Sequence, residues 1–141
     1  MTTVAIVGSQ LYPRPDLVRE IVEKLPRENV VISGGAKGPD TWAIDHAKDL
    51  GMQTIVYHAD WEAFGKPAGM IRNATIVKQC DFLIAFFDGK SPGTLDVARK
   101  AYRAAKLAFL YDVDGDIVDP RHLFGYEKPE KEPSLFGEEE A

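Results

Sequence analysis

Apolar residues fall in five short, uninterrupted runs: "TVAIVG" at 3–8, "NVVIS" at 29–33, "QTIVYH" at 53–58, "DFLIAFF" at 81–87 and "KLAFLY" at 106–111. Runs that do not alternate with polar residues suit strands covered on both faces, as in a parallel sheet. The segments between them have helical spacing. In "PDLVREIVEKLP", Leu17, Val18, Ile21, Val22 and Leu25 share a face, and Pro15 and Asp16 suit a helix start. Ala43, Ile44, Ala47 and Leu50 form the next stripe, with Gly51 as its stop. A third helix is predicted from Pro67 or Ala68 to about Gln79, and a fourth from about Gly93 to Ala105 with Leu95, Ala98, Tyr102 and Ala105 in line. Strand and helix alternate throughout. This predicts an α/β fold, a single doubly wound, Rossmann-like five-stranded parallel sheet with helices on both faces and right-handed crossovers.

The pattern stops at Tyr111, so residues 1–111 read as the folded domain and 112–141 as a C-terminal extension. The formal net charge of the chain is -5, but residues 127–141 hold six Glu and two Lys, which leaves residues 1–126 at only -1. The acidity therefore sits in what reads as a poorly ordered tail. A near-neutral body argues against a broad footprint for nucleic acid. "DVDGD" at 112–116 lacks the rest of a calcium-loop pattern and reads as a turn. The single cysteine, Cys80, precedes an apolar run and reads as a buried structural thiol. The three histidines, His46, His58 and His122, have no metal-site spacing, so no metal and no cofactor are expected. No apolar run approaches a membrane span of ~18 residues, and "MTTVAIVGSQ" lacks a signal-peptide core, so the expectation is a cytoplasmic protein.

In such sheets ligands bind beyond the carboxyl ends of the strands, where strand order reverses. The loops at those ends are unusual. After the first run comes Gly8-Ser9-Gln10, a turn that can present an amide and a hydroxyl. After the second comes "SGGAKGPD", where Gly34, Gly35 and Gly38 allow close backbone approach to an anion and Lys37 adds a charge. Pro39 suits a first helical position, and Asp40 either caps the helix start or holds a ribose hydroxyl. The spacing matches neither G-x-x-x-x-G-K-[ST] nor G-x-G-x-x-G. After the third run, Lys66 sits in a Gly-rich loop, with Arg72 and Asn73 in the early turns of the following helix. Arginine is well shaped for bidentate phosphate or carboxylate binding. Trp61 and Phe64 either stack on a base or pack under the loop. After the fourth run, the Gly93 and Thr94 amides and the Thr94 hydroxyl form a second candidate cradle, and Asp96 is either a carboxylate base or a partner of the helix dipole.

The segments "VAIVGS", "VISGGAKGPDTWAIDHA", "ADWEAFGKPAGMIRN" and "CDFLIAFFDGKSPGT" resemble the SLOG superfamily, which takes in the LOG phosphoribohydrolases and the DNA-processing protein A family, with the best match to its small YspA/YpsA-related branch. The resemblance implies binding of a nucleotide or nucleotide-derived small molecule (AMP- or ADP-ribose-like) by a sensor or sequestering domain. It carries ligand contacts onto Gly8, Ser9, Gly34, Gly35, Lys37, Gly38, Asp40, Lys66, Arg72, Asn73, Gly93 and Thr94. It also implies a homodimer or higher homo-oligomer. LOG enzymes use a P-G-G-x-G-T-x-x-E motif with an upstream Arg to cleave an N-glycosidic bond. Here Arg72 fits the upstream position, but Val97 stands where the motif has Glu and Asp96 lies one residue earlier, about 100° around a helix. The enzyme alternative, with Arg72 and Asp96 as catalytic residues, hangs on that offset.

Overall fold

The five apolar runs become β1 (Thr3–Gly8), β2 (Val30–Ser33), β3 (Gln53–Val56), β4 (Phe82–Phe86) and β5 (Leu107–Tyr111). They form one sheet in the order β3-β2-β1-β4-β5, every neighbouring pair parallel. The computed structural model describes residues 1–125; the tail expected at 127–141 lies outside them. Between the strands lie α1 (Pro15–Lys24), α2 (Pro39–Asp49), α3 (Trp61–Phe64), α4 (Ala68–Gln79) and α5 (Pro92–Arg103), and α6 (Pro120–Phe124) follows β5. Among the described residues no helix is long and apolar enough to cross a membrane.

Side chains of β1 alternate between two cores, as the pleat requires. Val4 and Ile6 join Val18 and Val22 of α1 and Ala43, Ile44 and Ala47 of α2. Ala5 and Val7 join Ile76 and Val77 of α4 and Val97, Ala98 and Ala101 of α5. The helices thus cover both faces, as expected of the doubly wound fold. Two local expectations need correcting. β3 is an edge strand with alternate residues open to solvent, Ile55 being 45% exposed, so its apolar run does not mean cover on both faces. The inward stripe of α5 is Thr94, Val97, Ala98, Ala101 and Tyr102, while Leu95 is 38% exposed and Ala105 ends the segment at φ 58.

The helix ends are built locally. α2 closes with the amide of Gly51 donating to the Lys48 carbonyl and that of Met52 to the Ala47 carbonyl, with Gly51 at φ 77. The short α3 is capped by Asp60, whose carboxylate accepts from the Ala63 amide. Asp112 folds "DVDGD" into a turn by accepting from the amides of Asp114 and Asp116. Cys80 is buried at the end of α4, and burial pushes its thiol up to about 11.

The chain runs outward from β1 to β2 and β3, then returns to place β4 on the other side of β1. The reversal opens a crevice at the carboxyl ends of β1 and β4. α2 starts hard against it. A Cβ on Gly8 would lie 2.6 Å from Pro39 Cγ and 2.8 Å from the Phe86 carbonyl oxygen. Neither neighbour can rotate away, because one is a ring at a helix start and the other is sheet backbone. Gly8→Ala is therefore expected to cost about 1–3 kcal/mol, read as a lower urea midpoint at unchanged slope.

Candidate functional site

The crevice holds a cavity of about 160 Å³. Gly8 and Gln10 contribute from the β1 turn, Ala36 and Asp40 from the glycine loop and the start of α2, Arg72 and Asn73 from α4, and Ser91, Gly93, Thr94 and Val97 from the start of α5. Of the residues lining it, Arg72 alone carries a positive charge, and the Gly93 amide in the first turn of α5 adds a partial positive charge.

Asp40 is the keystone of one wall. Its side chain is buried, the residue being 4% exposed, and its carboxylate accepts hydrogen bonds from Gly8 N (3.0 Å), Gly34 N (3.0 Å) and, more weakly, Ala36 N (3.5 Å). Burial pushes its carboxyl above the usual range, against the pull of those amides and of the Ser33 hydroxyl. Both carboxylate oxygens are thereby engaged by protein. The Gly34 amide, read from sequence as a phosphate donor, is used by Asp40 instead. Asp40 holds the glycine loop to β1 rather than capping α2 from ahead of it; the cap position is Gly38, at φ 90.

On the opposite wall Asn73 orients its neighbours. Its Nδ2 donates to the Gly93 carbonyl (3.3 Å) and to Asp96 Oδ2 (3.1 Å), which turns Oδ1 toward Arg72 Nε (3.1 Å). One terminal nitrogen of Arg72, Nη1, donates to the carbonyls of Gly34 and Tyr57. Nη2 has no partner among the described residues and is the donor left for a ligand. Asp96 forms a 2.6 Å ion pair with Lys100 one turn on. Asp96 does not line the cavity, whereas Val97 does.

A third network pins the start of α5 to the β1 turn. The Ser9 and Thr94 hydroxyls lie 3.1 Å apart, both residues buried, and the Ser91 side chain accepts from the Thr94 amide at 3.5 Å. The Thr94 amide and hydroxyl thus have internal partners, and the Gly93 amide is the open one of the pair. Asp88 accepts from the amides of Lys90 and Ser91, which opens the turn.

Of the residues singled out from sequence, Gly8, Asp40, Arg72, Asn73, Gly93 and Thr94 meet at the cavity. Ser9, Gly34 and Gly38 pack against residues that line it, whereas Gly35 is exposed and lies against Val56 and His58. Lys37 and Lys66 are exposed and line no described cavity. Val7 and Ala36 were not foreseen as lining residues; an apolar strand end and a loop alanine carry no chemical signature in sequence.

Comparison with known proteins bears on the family and the fold. A family model described as "YspA, cpYpsA-related SLOG family" matches residues 2–64. Gene 61 protein of Mycobacterium phage D29 is 32% identical over 114 residues, covering 74% of this chain and 91% of that protein. DNA processing protein A from Streptococcus pneumoniae superposes with a TM-score of 0.70 at 22% identity, over 92% of this chain and 58% of that one. DNA processing protein A from Helicobacter pylori, described with a single-stranded DNA binding mode, gives 0.58 at 23% identity, over 79% of this chain and 64% of that one. At such identities the two structures establish a shared fold.

Proposed function

The chain belongs to the SLOG superfamily, and on that premise we propose that it binds a phosphate-bearing nucleotide or nucleotide-derived metabolite, as a sensor or sequestering domain. One observation carries the reading: Arg72 is held on three sides by protein acceptors, with Nη2 left without a partner among the described residues, beside the open Gly93 amide at the start of α5. A fixed guanidinium next to a helix N-terminus favours a phosphate group. The Gly93 amide and Arg72 Nη2 are the phosphate donors.

The alternative, LOG-type hydrolysis of an N-glycosidic bond, needs a carboxylate facing the ligand. Asp96 faces Lys100 and Asn73, and Val97 takes the place at the cavity. This arrangement favours binding without turnover.

Isothermal titration calorimetry with AMP, ADP-ribose and ribose 5-phosphate tests the reading, with base release followed in parallel. Saturable binding that weakens in salt, with no base released, is the expected result. Asp96→Asn should leave affinity within about threefold, because its amide can still meet Asn73. Sustained base release abolished by Asp96→Asn would instead establish the enzyme. A short single-stranded oligonucleotide serves as the competing ligand; if it alone binds at low salt, the metabolite reading falls.

A further inference from the structure

A second cavity, also about 160 Å³, lies on the far side of Arg72. Tyr57, His58, Asp60, Phe64, Ile71 and Thr75 line it, and Arg72 is the one lining residue it shares with the first. Gly34 and Gly35 line neither cavity but pack beside the residues that do. A Cβ at Gly34 would lie 2.7 Å from Arg72 Nη1, and one at Gly35, where φ is 74, would lie 2.9 Å from His58 Cε1. Two glycines in sequence thus leave the loop pressed between the guanidinium and the imidazole.

We infer that this second cavity is the subsite for the nucleobase of the same ligand, and that it takes an amino-substituted planar heterocycle. The inference rests on the phosphate reading of the first cavity. Three features point to a ring. Each cavity is about half the lower end of the usual ligand-pocket range of about 300–1,000 Å³, so a ligand the size of a nucleotide fills both by passing Arg72. The lining is wrong for another phosphate, since it has no cation except the shared Arg72 and includes the Asp60 carboxylate. It is right for an aromatic face. Phe64 is 50% exposed, and Ile71 beside it is also open to solvent. Trp61, by contrast, lays the edge of its ring 3.4 Å from the Cβ position of Gly69 and lines neither cavity.

Asp60 supplies the choice of base. One carboxylate oxygen accepts from the Ala63 amide, and the other has no partner among the described residues. A free carboxylate oxygen accepts from an exocyclic amine and repels a carbonyl. AMP should therefore bind more tightly than IMP.

The test is calorimetry on the full chain with AMP, IMP and ribose 5-phosphate. The wild type should bind AMP at least about tenfold more tightly than ribose 5-phosphate, in line with one base stacked on an aromatic side chain. Phe64→Ala and Phe64→Leu should each remove most of that gain and leave ribose 5-phosphate affinity unchanged. Asp60→Asn, which keeps an acceptor for Ala63 and adds a donor, should narrow the difference between AMP and IMP. Equal wild-type affinities for AMP and ribose 5-phosphate would overturn the base subsite and leave the phosphate site standing. So would an equal weakening of both ligands by the two Phe64 variants, with circular dichroism showing the fold retained. No binding of either ligand to the wild type would remove the phosphate reading, and this inference with it.

Discussion

Arg72→Ala should weaken binding of a phosphate-bearing ligand by about 10- to 100-fold, equivalent to about 1.5–3 kcal/mol for a hydrogen bond to a charged group. The effect has two sources. One is the lost contact from Nη2. The other is the loss of order in the site, because Arg72 also ties the carbonyl of Gly34 in the glycine loop to that of Tyr57 beyond β3. Arg72→Lys separates the two. A lysine restores the charge as a mobile point but cannot reach Asn73 and the two carbonyls from one rigid plane. It should recover the salt-sensitive part of the affinity and little else. Calorimetry at low and moderate salt reads both components. Unchanged affinity in Arg72→Ala would remove Arg72 from the site.

The largest effect on stability is expected at Asp40. Asp40→Ala leaves the Gly34 amide buried without an acceptor and those of Gly8 and Ala36 poorly served, a loss of about 2–4 kcal/mol by urea unfolding. Asp40→Asn should fall in between, since an amide offers one acceptor and turns a second donor toward a donor. Its pH dependence is distinctive. The Asp40 carboxyl titrates above its ordinary value of 3.8 in the folded state because burial disfavours the charge. Its contribution is therefore full below the unfolded value and is lost as pH rises through the folded one. The asparagine variant has no such loss. The gap in stability between wild type and Asp40→Asn should narrow from acid to neutral pH. A gap that widened instead would mean that the amides, not burial, dominate the titration of Asp40.

Legibility from sequence followed the range of the interactions involved. The five strands were readable because burial in a parallel sheet writes itself into continuous apolar runs, and α4 began and ended where its composition indicated. β3 shows the limit. Its run "QTIV" looks like a covered strand, but whether a strand lies at an edge is decided by sheet order, which is not written within the strand. α3 left no stripe because a single capped turn has no buried face. At the cavity, Gly8, Gly93 and Arg72 come from loops and helix starts that the sequence marks by glycine and charge. Asp40 reads from sequence as a helix cap or a ribose ligand, because the amides it serves at Gly8 and Gly34 come from other segments. The link from Asn73 to Asp96 crosses two helices and 23 positions, beyond any local pattern. For Lys37 and Lys66 the charge is plain in sequence, but the direction in which a long side chain points is not.

The distribution of the cavity wall along the chain has a consequence for folding. Gly8, Asp40, Arg72 and Thr94 come from four successive crossings of the sheet. A fragment ending at α3 would keep the glycine loop and Asp40 but have neither the guanidinium nor the second helix start. On the proposed reading, the wall is complete only once β4 lies beside β1 and α5 has started behind it. A ligand bound there would act as a fastener, opposing above all the separation of β1 from β4.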